Sequence, residues 1–191
     1  TGGLILARAH GASYLVNAAD PVEFERTPVT DGQTVRVGSL TVTAVATPGH
    51  THTHMSFIVD DGRRRAVFSG GSLLYGSVGR TDLVAEADTV GLTRDQYASV
   101  RRLAAQAGHD AALFPTHGFG SFCSSGPATG ARSSTIGEQL AANHALTDPD
   151  EDHFVRQLIA NLTDHPSYYA HMSPANVQGP GPADLAVPES L

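Results

Sequence analysis

The segment Thr47-Pro48-Gly49-His50-Thr51, which follows the β-type run Leu40 to Ala46, constrains the fold of this chain more than any other. Its Pro-Gly pair predicts a turn that ends the strand. An imidazole then lies at the rim of a sheet, where a metal ion or a substrate can reach it. The apolar run Ala112 to Phe114 is likewise followed by a turn and by His117. Two strand-end histidines in one chain predict a metal site with His50 and His117 as ligands.

A third apolar run, Ala66 to Phe68, lies between these histidines and ends in the turn Ser69-Gly70-Gly71. A third metal ligand is expected at this turn, because the other two runs each deliver one at the corresponding place. That place is held by Gly71, which has no side chain with which to bind a metal ion. The sequence therefore predicts an incomplete set of ligands.

The three segments resemble motifs of the metallo-β-lactamase superfamily: a Thr-Pro-Gly-His-Thr turn, a Thr/Ser-Gly-Asp turn and a late Gly-His or Thr-His turn. The stretch Ser77-Val78-Gly79-Arg80-Thr81-Asp82 is similar to the Gly-x-Gly-Arg-Thr-Asp stretch of the glyoxalase II and persulfide dioxygenase branch. The segment from His165 to Asn176 resembles the tail of persulfide dioxygenase-like proteins that carry a rhodanese domain afterwards. The resemblance covers nearly the whole chain.

This resemblance implies an α/β (α+β) fold, the αββα metallo-β-lactamase sandwich, in which two sheets pack face to face and helices cover both. It implies one iron or zinc ion, with His50 and His117 among the ligands, and a small-molecule thiol or persulfide substrate of the glutathione type. Tyr168, Tyr169 and His171 fall where relatives present side chains toward such a substrate. The predicted substrate-binding residues are Arg80, Tyr168 and Tyr169.

Several of these residues have a second interpretation. Arg80 pairs with Asp82 to fix their loop, as Arg-carboxylate forks commonly do, and the two tyrosines anchor the last helix as core aromatics. His52 and His54 would point to the same side as the first metal ligand along an extended segment, which makes them substitute ligands, or else they lie on a loop rim. Cys123 is a buried, inert thiol unless cationic groups lower its pKa.

The chain also departs from the family pattern. The position of the family's metal-binding aspartate aligns with Gly71, and the His-x-His-x-Asp-His motif has no counterpart before the Gly-rich start at Thr1. We therefore expect a domain that is incomplete at its N-terminus and lacks its N-terminal strands. In the persulfide dioxygenase branch the late histidine is usually not an iron ligand, which leaves His50 as the one certain equivalent. No catalytic residue is assigned, and the site is predicted to hold one metal ion or none.

Composition bounds the remaining possibilities. The chain has 191 residues, of which 40% are hydrophobic and 16% charged, enough for one substantial core. A formal charge of −7 and a pI near 5.7 argue against a nucleic acid or an anionic membrane as partner. The single cysteine and the lack of an apolar run of membrane length fit a cytoplasmic protein.

Periodicity predicts alternating helices and strands. We expect a metallo-β-lactamase-like domain over residues 1–172 and a Pro/Gly-rich linker or tail over 173–191. An incomplete sandwich exposes a sheet edge or face, at which a second copy of the chain or another segment pairs. The predicted elements are a helix Leu4–His10, a strand Tyr14–Asn17, the hairpins Thr34–Val37 with Leu40–Ala46 and Met55–Val59 with Arg65–Phe68, a helix from Thr93 to Gly108, a strand leading to His117, and helices Ile136–Leu146 and Asp150–Leu162.

Two functions follow from these observations. The first is an enzyme similar to persulfide dioxygenases or hydroxyacylglutathione hydrolases, with metal-dependent chemistry on a glutathione-type sulfur compound. The second is a degenerate, non-catalytic binding or scaffold domain that partners a rhodanese domain. The retained His50 favours the first function, whereas Gly71 favours the second. Losing a ligand should weaken metal binding more than the ~10 to 100-fold that is typical when a residue hydrogen-bonded to a ligand is changed.

Overall fold

The computed structural model describes residues 2–117, 132–179 and 181. The chain forms two compact units, one of Thr1–Pro28 with Pro166–Leu191 and the other of Val29–His165. In the first unit, helix α1 (Gly2–His10) is followed by Gly11, whose φ of +61° is one that glycine adopts without strain. Its elements are helix α1 (Gly2–His10), the paired strands β1 (Leu15–Asn17) and β2 (Thr27–Val29), a 3₁₀ helix (Ser167–His171) and helix α6 (Met172–Gln178).

The second unit contains a six-stranded sheet and four helices among its described residues. Its strands are β3 (Thr34–Val37), β4 (Leu40–Ala46), β5 (Met55–Asp60), β6 (Arg65–Gly70), β7 (Leu73–Leu74), β8 (Ser77–Val78), β9 (Ala112–Pro115) and β10 (Ser134–Thr135), and its helices are α2 (Thr89–Ala107), α3 (Ile136–Ala142), α4 (His144–Thr147) and α5 (Glu151–Ala160), with a 3₁₀ turn at Glu86–Asp88.

The direction of the strands determines where their ends meet. The order in the large sheet is β10-β9-β6-β5-β4-β3, and all neighbours are antiparallel except β6 and β9. Because β5 is antiparallel to both β4 and β6, those two strands run in the same direction, and β9 runs with them. The C-terminal ends of β4, β6 and β9 therefore lie at one edge of the sheet.

The core lies between the large sheet and the helices. Val67 and Leu113, on the neighbouring strands β6 and β9, are buried together with Leu103 of α2 and Phe154 of α5. Side chains alternate between the two faces of a strand. The next residue in each strand, Phe68 and Phe114, is accordingly exposed, and their rings stack at 5.3 Å between centroids.

Both predicted hairpins are confirmed. In the first, Val37 pairs with Leu40, and in the second Asp60 pairs with Arg65. The mixed α/β class of the fold is confirmed as well. No helix of the described part has both the length and the apolar character needed to cross a membrane.

Two predicted helices differ from the structure by more than two residues. Helix α2 begins at Thr89 rather than at Thr93, whose hydroxyl lies inside the helix and donates to the Thr89 carbonyl. The predicted helix Ile136–Leu146 is split at Asn143. The side-chain oxygen of Asn143 accepts from the Ala145 backbone amide, and its side-chain nitrogen donates to the carbonyls of Leu74 in β7 and Ser77 in β8.

The third difference concerns the predicted linker. Met172–Gln178 is helical, and Pro174 is tolerated because it lies in the first turn of α6. The division into residues 1–172 and 173–191 stays a prediction, and most of the Gly-rich stretch around Cys123 lies outside the described residues.

Candidate metal centre

His50 and His117 meet at the edge where β4, β6 and β9 end. His50 follows β4, Gly71 follows β6 and His117 follows β9. The amide of Thr116 donates to the Gly70 carbonyl at 3.0 Å, which fixes the turn after β9 against the turn after β6. The centroids of the two imidazole rings lie 5.7 Å apart. The structure thus brings together the two histidines that the sequence predicted as metal ligands.

The protonation state of His50 follows from its partner. Its Nδ1 lies 2.7 Å from the carbonyl oxygen of Arg80. A carbonyl only accepts hydrogen bonds, so Nδ1 carries the proton and Nε2 carries a free lone pair. A backbone carbonyl that holds the far nitrogen of a histidine in this way is the usual support of a metal ligand.

The lone pairs of the two histidines converge beside Gly71. An ideal Cβ built on this glycine would lie 2.7 Å from His50 Nε2 and 3.1 Å from His117 Nε2. It would also lie 2.4 Å from His50 Cδ2, closer than real Cβ atoms come to a neighbour. The imidazole of His50 therefore packs directly against the backbone of Gly71 and fills the space that a side chain there would need.

Burial keeps this group of histidines neutral. It lowers the pKa of both His50 and His117 below the ordinary value, and the nearby His50 lowers the pKa of His117 further. Because a metal binds the unprotonated nitrogen, neutral rings are ready ligands at neutral pH. The buried Nδ1 of His117 has no hydrogen-bond partner in the described part of the chain.

His54 has a structural role at the same edge. The Gly71 amide donates to its Nε2 at 3.1 Å, so its proton lies on Nδ1, which donates to the Thr47 hydroxyl at 2.8 Å. Thr47 then donates to the Ser56 hydroxyl at 2.8 Å, and Ser56 donates to the Ser69 carbonyl at 3.5 Å. We call this series the His54 hydrogen-bond chain. Burial lowers the pKa of His54 to about 3.

The structure does not support His52 and His54 as substitute ligands. Residues 50–53 form bends and turns rather than an extended strand, so the strand-like alternation expected for the three histidines is absent. The rings of His50 and His54 nevertheless lie 6.1 Å apart between centroids. His52 is exposed and pairs with Asp88 at 3.1 Å. Both ring nitrogens of His54 have protein partners.

The donor set fits a metal ion in its chemistry and charge, and the tautomer of His50 suits a ligand, but the set is small. Two neutral imidazole nitrogens are typical ligands of zinc and iron, whereas catalytic zinc sites use three protein ligands. Among the residues that the structure describes, neither His50 nor His117 belongs to a group of three His, Cys, Asp or Glu residues whose ligand atoms all lie within 4.8 Å of one another. Gly71 stands at the turn where the sequence analysis expected a third ligand, and it supplies no side chain.

Arg80, whose carbonyl oxygen accepts from His50, is held in place by its own side chain. It is 1% exposed, and its guanidinium donates two hydrogen bonds of 2.7 Å to the carboxylate of Asp82 and one to the Thr163 carbonyl. The predicted pairing with Asp82 is therefore present. This geometry supports the loop-fixing interpretation of Arg80, and its contact with a substrate stays a prediction.

Tyr168 and Tyr169 lie in the first compact unit, on its 3₁₀ helix. Their rings are 5.3 Å apart between centroids, and Tyr168 is exposed. Their predicted role in substrate binding stays a prediction.

Gln96 is a residue of the site that the sequence did not single out. It is fully buried on α2, and its amide donates to the Ser72 carbonyl and hydroxyl at 2.9 and 3.0 Å, next to Gly71. Gln96 also packs closely against Gly49: a Cβ built on Gly49 would lie 2.6 Å from the Cα of Gln96. The spacing of Gln96 from the buried Leu92 and Val100 was the signal that it faces the core.

Comparisons with known proteins identify the family of this chain. A family model described as the metallo-beta-lactamase superfamily matches residues 3–118, which contain both histidines. The chain belongs to the metallo-beta-lactamase superfamily.

Two curated relatives show how far the similarity extends. The chain is 27% identical over 163 residues to the mitochondrial persulfide dioxygenase ETHE1 of Homo sapiens, an alignment that covers 85% of this chain and 52% of that protein. It is 51% identical over 47 residues to an atrochrysone carboxyl ACP thioesterase of Aspergillus fumigatus, covering 25% of this chain and 11% of that protein. The chain thus spans about half of one relative and about a tenth of the other.

Solved structures confirm the predicted metallo-β-lactamase fold. A metallo-beta-lactamase from Staphylococcus aureus superposes with a TM-score of 0.86 at 22% identity, covering 98% of this chain and 58% of that one. ETHE1 from Myxococcus xanthus superposes with a TM-score of 0.74 at 24% identity, covering 92% and 70%. TTHA1623, solved in a di-iron-bound form, superposes with a TM-score of 0.51 at 24% identity over 74% and 69%.

Proposed function

We propose that this chain uses His50 and His117 to bind a metal ion that acts on a glutathione-type sulfur compound. The observation that carries the proposal is the hydrogen bond from His50 Nδ1 to the Arg80 carbonyl, which directs an unprotonated Nε2 toward His117. The alignment with the human persulfide dioxygenase over 85% of the chain favours a persulfide or thiol substrate. A glutathione thioester, the substrate type of the glyoxalase II branch, is the alternative within the same chemistry.

Each residue of this site has its own proposed role. A bound iron or zinc ion would supply a Lewis acid for the sulfur compound. His50 and His117 would hold the ion, and the Arg80 carbonyl fixes the orientation of His50. The Arg80–Asp82 pair in turn fixes the position of that carbonyl. The contact of Arg80, Tyr168 and Tyr169 with the substrate is part of the proposal.

A second candidate is a non-catalytic domain that binds a partner. The space beside His50 and His117 has no carboxylate from residue 71, and His50 fills that space instead. A domain that keeps the fold without a full ligand set is suited to a binding or scaffold role. A rhodanese domain as the partner, and a cytoplasmic location, rest on the family resemblance and stay predictions.

The two candidates are separated by metal content and activity. We would measure iron and zinc by elemental mass spectrometry on purified protein, and persulfide-dependent oxygen consumption on the same sample. Loss of one equivalent of metal in His50→Ala, with no such loss in His54→Ala, supports the proposal. Equal loss in both variants contradicts the assignment of His54 to a structural role.

A metal content that His50→Ala leaves unchanged, without oxygen consumption, favours the non-catalytic candidate. His52→Ala is the matched control, because His52 is a neighbouring histidine that pairs with the Asp88 carboxylate at the surface. Its metal content should equal that of the parent chain.

A further inference from the structure

A second group of metal-binding side chains lies on the helices of the Val29–His165 unit. It consists of His144, Asp148 and His153, and we call it the helix cluster. One ligand atom from each residue lies within 4.8 Å of the other two. Among the described residues, this is the one group of three that satisfies that distance. The cluster includes none of the residues of the candidate metal centre.

Backbone structure holds the three residues together. His144 begins α4 and Asp148 caps its C-terminal end, and the Asp148 amide donates to the His144 carbonyl at 3.0 Å. Residues four apart on a helix lie on the same face. His153 lies in the first turn of α5, where its amide donates to the capping carboxylate of Asp150 at 3.1 Å. The three side chains thus come from two helix ends with defined caps.

The carboxylate of Asp148 is the centre of the cluster. Its side chain is 7% exposed, against 55% for His144 and 46% for His153. One oxygen accepts from the Asp150 amide at 3.0 Å. The other oxygen accepts from His153 Nδ1 at 2.6 Å and lies 3.6 Å from His144 Nε2. A buried carboxylate needs such donors or a cation to compensate its charge.

We propose that the helix cluster binds a divalent transition-metal ion of the zinc type through His144 Nε2, Asp148 Oδ2 and His153 Nδ1. Two imidazoles and one carboxylate form a common zinc ligand set, and the exposed side of the histidines leaves the fourth position to water. Binding replaces the proton on His153 Nδ1, which leaves to solvent. The Asp150 amide on the second oxygen orients the carboxylate.

Such an ion joins three helices. The ligands connect the end of α4 with the start of α5. The carbonyl of Asp148 accepts from the Tyr97 hydroxyl at 2.9 Å and from the Arg101 guanidinium, both on α2. A metal that binds the folded chain and not the unfolded chain raises the unfolding temperature by mass action. The site is therefore proposed as a structural one.

Zinc titration calorimetry tests the proposal. The chain carrying both His50→Ala and His117→Ala lacks the ligands of the candidate metal centre, so zinc bound by this protein reports on the helix cluster. We expect one equivalent of zinc and an unfolding temperature that rises with zinc. His153→Gln keeps a hydrogen-bond donor for Asp148 but removes the imidazole, and should weaken zinc binding at least ~10-fold.

His52→Ala is the matched control, since His52 forms an exposed pair with Asp88 at 3.1 Å but has no third ligand in the described chain. It should leave zinc affinity unchanged. Where the double variant fails to fold, the same two variants are compared in the parent chain, and His153→Gln should bind one zinc ion fewer than His52→Ala. Equal zinc binding by His153→Gln and His52→Ala, in either protein, overturns the proposal whatever the metal content of the His50 centre.

Discussion

The Nδ1 of His50 donates a hydrogen bond of 2.7 Å to the carbonyl oxygen of Arg80. This bond joins the turn after β4 to the loop after β8, although the two residues are distant in sequence. Because Arg80 is itself fixed by Asp82 and the Thr163 carbonyl, the orientation of one imidazole depends on a buried ion pair. The metal ligand and its support are thus a single structural unit.

The space at Gly71 gives the first prediction. Gly71→Ala should lower the free energy of unfolding by about 1–3 kcal/mol, because its Cβ would overlap the His50 ring. Gly71→Asp adds the same Cβ and also a carboxylate. We expect it to destabilise the metal-free chain equally but to bind zinc more tightly than Gly71→Ala does. Urea unfolding with chelator and zinc titration measure the two effects.

Gly91 supplies the control for this substitution. It lies inside α2, and a Cβ there would meet no atom within 4 Å. Gly91→Ala should stabilise the chain by about 0.5–1 kcal/mol. A Gly71→Ala variant as stable as Gly91→Ala would show that His50 does not fill the space beside Gly71.

Gly49 gives the second prediction. Its φ is +141°, and a Cβ would lie 2.6 Å from the Cα of Gln96, which is helix backbone and does not move easily. Gly49→Ala should therefore lower the free energy of unfolding by at least about 2 kcal/mol, measured by urea denaturation. Gly38→Ala is the control: it also has positive φ, +60°, but no atom lies within 4 Å of its Cβ position. A similar loss in both variants would mean that backbone strain alone, and not the contact with Gln96, explains the effect.

The third prediction concerns Arg80. Arg80→Lys should destabilise the chain by about 2–4 kcal/mol, because a lysine cannot make the two parallel bonds to Asp82 and leaves a buried pair unmatched. The exposed pair Arg65–Asp60 is the control, and Arg65→Lys should change stability by less than about 0.5 kcal/mol. Thermal unfolding of both variants decides the question, and equal losses would contradict a structural role for Arg80.

The fourth prediction is a pH dependence. Burial lowers the pKa of His54 from 6.5 to about 3 in the folded chain. Between these pH values the unfolded chain binds a proton at this site that the folded chain does not bind. The free energy of unfolding should therefore fall as pH drops from 6.5 toward 3, by up to ~1.4 kcal/mol per pH unit for this proton, and the contribution should be constant above pH 6.5.

His54→Gln tests the pH prediction, because glutamine fills similar space and does not titrate. Urea unfolding with chelator, from pH 4 to 8, should show a shallower dependence for this variant than for the parent chain. His10→Gln, at the exposed end of α1, is the control and should keep the slope of the parent. Identical slopes for His54→Gln and the parent would contradict the lowered pKa.

The elements that the sequence predicted correctly are those with local signals. Leu40 to Ala46 alternates around a turn at Gly38 and Ser39, and the hairpin follows from that pattern without any distant contact. The meeting of His50 with His117 was predictable because each follows an apolar strand and a turn. The rest of the fold was predicted from the resemblance to the superfamily motifs.

The interactions that were missed join distant parts of the chain. The His54 hydrogen-bond chain links residues from the turn after β4, from β5 and from β6, and no single segment shows it. The acceptor for His50 is a backbone carbonyl, which any residue at position 80 would offer. Helix α2 starts before Thr93 because that hydroxyl finds partners in Thr89 and Thr81, one of which lies outside the helix.

The parallel pairing of β6 with β9 also determines when the site forms during folding. Hairpins close through short loops, whereas β9 joins β6 only after the chain has passed through α2. Pairings between distant segments form slowly, since loop-closure entropy opposes them. His50 and Gly71 lie before this crossover and His117 lies after it. We therefore expect the two histidines to meet late in folding, so that a metal ion present during synthesis would find one ligand well before the other.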